Sequence, residues 1–149
     1  MKIAIGADHG GFSLKELIIP HLKEKGHDVI DLGTNSGDSV DYPEFGEKVA
    51  MAVINGEADR GIVICGTGIG ISISANKVPG IRAALVSETF SARMSIEHNN
   101  ANVLALGARV TGPDLALEIV DVWINSTFLG DRHERRVNKI GEIEKKFCK

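Results

Sequence analysis

Cysteine is scarce: the two present in 149 residues, Cys65 and Cys148, lie far apart and outside any C-x-x-C or Cys/His ligand spacing. That argues against a disulfide framework and a sequence-coded metal site, and fits free thiols in a reducing cytoplasm. No block of Lys or Arg forms a basic stripe. With 17 basic against 20 acidic residues the chain is slightly anionic, so nucleic acid is not an expected partner. No apolar run approaches the roughly 20 residues needed to cross a bilayer, so no membrane association is expected. Residues 1–7 read as a short apolar strand and lack the long apolar run and cleavage site of an export signal, which makes a cytoplasmic location the expectation. Repeats, low-complexity tracts and linkers are also lacking, leaving one domain over residues 1–149. At 43% hydrophobic residues it can bury a core without metal or disulfide support.

What is present alternates. Short runs rich in Ile and Val at 2–7, 28–32, 61–65, 83–86 and 103–106 are separated by helix-length segments. This predicts an α/β fold, a Rossmann-like three-layer domain with about five parallel strands and helices on both faces. The first crossover helix, about 12–25, places Leu14, Leu17, Ile18, His21 and Leu22 on one stripe and Lys15, Glu16, Lys23 and Glu24 mostly on the other. Gly26 stops it. Further helices are expected from Pro43 to about 55, over about 89–97, from Pro113 to about 125 behind a cap at Thr111 or Gly112, and over about 133–147.

Ligands of open α/β sheets bind beyond the carboxyl ends of the strands. Two such ends carry chemistry here. The first strand runs into Asp8-His9-Gly10-Gly11 and the third into Cys65-Gly66-Thr67-Gly68-Ile69-Gly70, which presents an acid, an imidazole, a thiol and a hydroxyl on one rim. Glycines let backbone approach a ligand, and the helix that follows offers free N–H groups and a positive dipole end to a phosphate or oxyanion. Gly66, Gly68 and Gly70 make a poor dinucleotide fingerprint, because Ile71 stands where G-x-G-x-x-G needs its last glycine. The stretch from Gly6 to Ser13 imitates a phosphate-binding P-loop, with Phe12 in place of the required lysine. Hydride transfer and nucleotide hydrolysis both lose ground. A thiol at the mouth of such a helix start has its thiolate favoured by the dipole, so Cys65 can serve as base or nucleophile. Cysteine also ends many strands as a small buried hydrophobe; its position beside the anion-binding loop favours the reactive reading.

Two clusters lie elsewhere. His98-Asn99-Asn100 follows a helix that descends from the ligand side, so His98 is expected near the amino ends of the strands. A strand of five residues spans about 16 Å, too far for its side chain to reach Cys65 within one subunit. His98 either ends a helix, or serves the rim of a second subunit across a symmetric interface. Arg132 and Arg136 share a helical face at i and i+4, a spacing suited to gripping a phosphate or to an ordinary solvated helix. Arg109, just past the fifth strand, is a third cation on the ligand side.

The segments Gly6-Ala7-Asp8-His9-Gly10-Gly11-Phe12, Cys65 to Ser72 with Ala75-Asn76-Lys77, His98 to Val103 and Arg132 to Val137 resemble the type B ribose-5-phosphate isomerases. That group also holds galactose-6-phosphate isomerase subunits and allose-6-phosphate isomerase, and the resemblance spans essentially the whole chain. It implies a homodimer, sometimes paired into a tetramer, whose active sites combine both chains. It also implies that Cys65 is the proton acceptor and His98 the acid that helps open the furanose ring. The sugar phosphate would be held by Asp8, His9, Gly66, Thr67, Gly68, Ile69, Gly70, Asn99, Arg109, Arg132 and Arg136. One branch uses a glutamate beyond the loop as base; Cys65, with Ala75-Asn76 beyond the loop, matches the cysteine branch. The implied reaction moves a proton between C2 and C1 through an enediolate, which needs one base and preorganised donors but no cofactor or metal. Asp8 and Thr67 are expected to orient hydroxyls or move the proton between O1 and O2. The alternatives are a six-carbon sugar phosphate as substrate, or a non-catalytic phospho-ligand module on the same fold.

Overall fold

The computed structural model describes residues 1–148. Five strands, β1 (Lys2–Ala7), β2 (Asp28–Asp31), β3 (Arg60–Cys65), β4 (Ala83–Leu85) and β5 (Val103–Gly107), form one sheet in the order β2-β1-β3-β5-β4. Every neighbouring pair is parallel. Six helices connect and follow them: α1 (Phe12–Glu24), α2 (Tyr42–Ile54), α3 (Ile69–Asn76), α4 (Thr89–Glu97), α5 (Pro113–Asn125) and α6 (Arg132–Phe147). The expected three-layer α/β architecture is the one observed.

The two faces of the sheet are packed differently. Alternate strand residues Ile3, Ile5, Ile62, Ile64, Leu104 and Leu106 meet α1, α4 and α5 in one core. The opposite face is built from small side chains, among them Ala4, Val63 and Ala105, and meets α2 and α3. A Cβ on Gly61 would lie 2.4 Å from a Val49 methyl, so glycine there is what lets α2 come close.

The first helix departs from its expected stripe. Leu17 is 49% exposed, whereas Lys15 is fully buried, with Nζ 2.9 Å from both Asp31 Oδ1 and Glu16 Oε1. The buried face is set by the carboxylate at the end of β2, which supplies Lys15 with a partner that apolar periodicity does not register. The stop at Gly26 is a Schellman motif: Gly26, at φ +89°, donates to Lys23 O, and His27 donates to Leu22 O. Ahead of α5 Gly112 occupies the cap, and the Thr111 hydroxyl is buried without a hydrogen bond, so Thr111 is not the cap. No described helix is long and apolar enough to cross a membrane.

The strand order puts β1 and β3 side by side at the centre, with the chain leaving β1 for a helix on one face and β3 for a helix on the other. Their carboxyl ends therefore open a crevice at the switch point.

Candidate active site

An open cleft of about 490 Å³ lies in that crevice, with Asp8 contributed from β1, the stretch from Cys65 to Thr67 from β3, and Arg109 from beyond β5. Parallel pairing explains the assembly. Register places Cys65 opposite Gly107, and Arg109 N–H donates to Gly66 O at 2.9 Å, which swings the Arg109 side chain over the glycine loop.

Cys65 is 5% exposed, and its Sγ accepts the Gly68 N–H at 3.1 Å. The sulfur is thus held as an acceptor at the edge of the cleft, the posture a proton-abstracting base requires. The turn that does this needs glycine: Gly68 sits at φ +77°, and a Cβ there would be 2.8 Å from the Leu106 carbonyl carbon. Thr67 Oγ1 accepts the Ile69 N–H at 3.2 Å. Two loop amides are thereby engaged internally. Those of Gly66, Thr67 and Gly70 have no acceptor among the described residues, and Gly70 lies in the first turn of α3, at its positive dipole end.

Asp8 is buried and clamps its own loop, with Oδ1 accepting from Gly10 N–H at 2.9 Å and Gly11 N–H at 3.1 Å. Its Oδ2 has no hydrogen bond among the described residues. His9 is exposed on the rim, where its Nδ1 accepts the Val40 N–H at 3.2 Å. That bond ties the polar 34–41 loop to the site and leaves Nε2–H to point outward.

The remaining expected residues are at the other edge of the sheet. His98 caps the end of α4, and Arg82, which precedes β4, donates to the Asn99 and Asn100 carbonyls. Arg132 and Arg136 lie on the exposed first turns of α6. The His98 ring stacks on His133, centroids 4.1 Å apart and planes 10° from parallel. Burial, with His98, Arg132 and Arg136 nearby, lowers the proton affinity of His133 against a smaller opposing effect of Asp131.

Sequence reading missed two residues here. Tyr42 lines the cleft and lies against Gly70, where an added Cβ would come within 2.5 Å of the tyrosine ring. The other is His133, which sits buried between Arg132 and Arg136 in sequence and meets His98 only in the fold. No group of three or more His, Cys, Asp or Glu side chains fit to hold a metal occurs among the described residues.

Residues 3–140 match the Ribose/Galactose Isomerase family model. Ribose-5-phosphate isomerase B of Escherichia coli (strain K12) is 54% identical over 145 residues, covering 97% of each chain. The structure of Clostridium thermocellum ribose-5-phosphate isomerase B is similar at 65% identity and a TM-score of 0.98, covering 99% of this chain and 100% of that one. The Mycoplasma genitalium ribose-5-phosphate isomerase B, solved with bound ribulose 5-phosphate, matches at 45% identity and a TM-score of 0.92, covering 97% and 96% of the two chains.

Proposed function

The chain belongs to the ribose/galactose isomerase family, and from that premise we propose that its switch-point cleft interconverts ribose 5-phosphate and ribulose 5-phosphate with Cys65 as the base. The enzyme class follows from relatives that match over nearly the full length of both chains. The observation that carries the mechanism is Cys65 Sγ at the edge of the cleft, beside unengaged loop amides and below the Arg109 guanidinium.

In the ring-opened aldose, Cys65 takes the C2 proton, and the electron pair moves into an enediolate whose oxygens face the Gly66, Thr67 and Gly70 amides. Return of that proton to C1 completes the ketose. Asp8 Oδ2 and the Thr67 hydroxyl orient O1 and O2 or pass the proton between them. Arg109 and His9 hold the phosphate, so binding energy at the remote end aligns the reacting carbons. No redox or metal step enters this chemistry.

His98 is the acid for ring opening. As the C1–O4 bond breaks, its electron pair stays on O4 and takes the His98 proton, while the C1 hydroxyl proton leaves to water. His98 and Cys65 occupy opposite edges of one sheet, so this reading requires a homodimer in which each site draws His98, Asn99, Arg132 and Arg136 from the second chain. An apolar stripe supports it: Ile140, Ile143 and Phe147 of α6 are 46%, 60% and 72% exposed, far more open than a monomer's helix needs. We read residues 1–149 as one isomerase domain working in the cytoplasm.

Mixing inactive Cys65→Ala chains with inactive His98→Ala chains tests the arrangement. Exchange should restore about half of wild-type turnover per mixed dimer, as one of its two sites re-forms intact, and about a quarter in an equal, randomly exchanged mixture. Verified exchange without rescue removes the shared site, and a fully active Cys65→Ala enzyme removes the thiol. Comparing turnover of ribose 5-phosphate with allose 6-phosphate and galactose 6-phosphate fixes the substrate length.

A further inference from the structure

His133 has no part in the mechanism above, yet it is the one buried imidazole among the described residues. It is 6% exposed at the first turn of α6, its Nε2 is buried without a hydrogen bond, and its ring lies parallel to that of His98 at 4.1 Å. The stack joins two elements that otherwise touch little: the end of α4, which also receives the Leu129 N–H at Glu97 O, and the start of α6. The charged groups around it are Arg132 and Arg136 from α6, Asp131 at that helix's cap, and His98 itself.

We propose that His133 is the positioning residue for His98: a buried ring that fixes the plane of the His98 imidazole by stacking on it. Two parallel imidazoles at this separation cannot both be charged without strong repulsion. Burial first, and then His98 and the two arginines, disfavour charge on His133. The inference rests on the reading of His98 as ring-opening acid, because a donor must be both protonated and correctly turned toward O4.

The test separates ring opening from proton transfer at carbon. Ribulose 5-phosphate has no free hydroxyl placed to close a five-membered ring on C2, so exchange of its C1 hydrogen with deuterated water reports Cys65 without His98. In His133→Ala, conversion of ribose 5-phosphate should fall about tenfold, the size of a lost aromatic stack, while KM and the C1 exchange rate stay within about twofold. His133→Phe, which keeps the stack, should recover turnover to within about threefold of wild type. Equal loss of conversion and exchange, or no loss at all, overturns the proposal. His98→Ala run alongside separates the two readings: if it lacks the selective loss, the ring-opening role of His98 has failed, and if it shows the loss while His133→Ala does not, only the positioning role has. NMR of the imidazole signals judges the pair without turnover. Removing the stacked ring in His133→Ala should shift the His98 ring signals, and unchanged His98 signals overturn the proposal.

Discussion

Gly68 and Gly66 stand two residues apart in the same loop, and the structure sets very different costs for adding a methyl group to each. At Gly68 the backbone is at φ +77°, and a left-handed conformation costs an L residue about 1–2 kcal/mol. The new Cβ would lie 2.5 Å from a Leu85 methyl, 2.8 Å from the Leu106 carbonyl carbon and 3.0 Å from the Gly107 nitrogen. The leucine can swing away; the β5 backbone cannot, so overpacking adds about 1–3 kcal/mol. Gly68→Ala should therefore lose about 3 kcal/mol, which for a chain of this length lowers Tm by roughly 6–12 °C. At Gly66 the φ is ordinary, and the first contact is the flexible Arg109 side chain at 3.4 Å. Gly66→Ala should stay within about 0.5 kcal/mol, or roughly 2 °C. Paired thermal melts followed by circular dichroism read the difference. Indistinguishable melting of the two variants would refute the tight turn that holds the Gly68 amide against the Cys65 sulfur.

Asp31→Ala leaves the buried Lys15 ammonium with Glu16 alone. Because the Asp31 side chain is 38% exposed, the loss should fall below that of a fully buried pair, about 2 kcal/mol by urea titration. Stability should also fall on acidification through the histidine range. His133 in the folded chain binds its proton less readily than in the unfolded chain, which charges near about pH 6.5. As pH drops through that value the unfolded state gains a proton that the native state refuses, so stability declines until the native ring titrates as well. The drop in Tm between pH 7.5 and pH 5.5 should be smaller in His133→Phe, and an unchanged drop would remove His133 as its source.

The helices and strands were legible because most of them obey one periodicity each. β1, β3 and β5 are buried on both faces and read as unbroken apolar runs, and Gly26, Pro43 and Pro113 mark helix ends by backbone geometry alone. Lys15 was misread because a buried ion pair depends on Asp31, a residue on another element, and no helical pattern encodes that. The carboxyl-end loops were legible as chemistry, since strand endings and glycines fix where Asp8 and Cys65 must emerge. Tyr42 and His133 were not, because each acts through a neighbour brought in by the fold, Gly70 in one case and His98 in the other.

The proposed division of the site between two edges of the sheet rests on charge as much as on distance. A sugar phosphate brings close to two negative charges into a crevice that already contains the Asp8 carboxylate, and the cleft itself offers one guanidinium, Arg109. The helix dipole at α3 adds about half a charge. A parallel sheet cannot bend its amino edge round to supply more, so Arg132 and Arg136, tied to α6 beyond β5, are out of reach of their own Cys65. The proposed two-fold pairing would solve this without lengthening any element, because it would set the amino edge of one sheet against the carboxyl rim of the other twice over. On this account the isolated chain retains a base and an oxyanion-binding loop but is short of the ring-opening acid and of the cations that hold substrate. Dilution to monomers should therefore raise KM steeply and lower turnover of ribose 5-phosphate, with Cys65 itself intact.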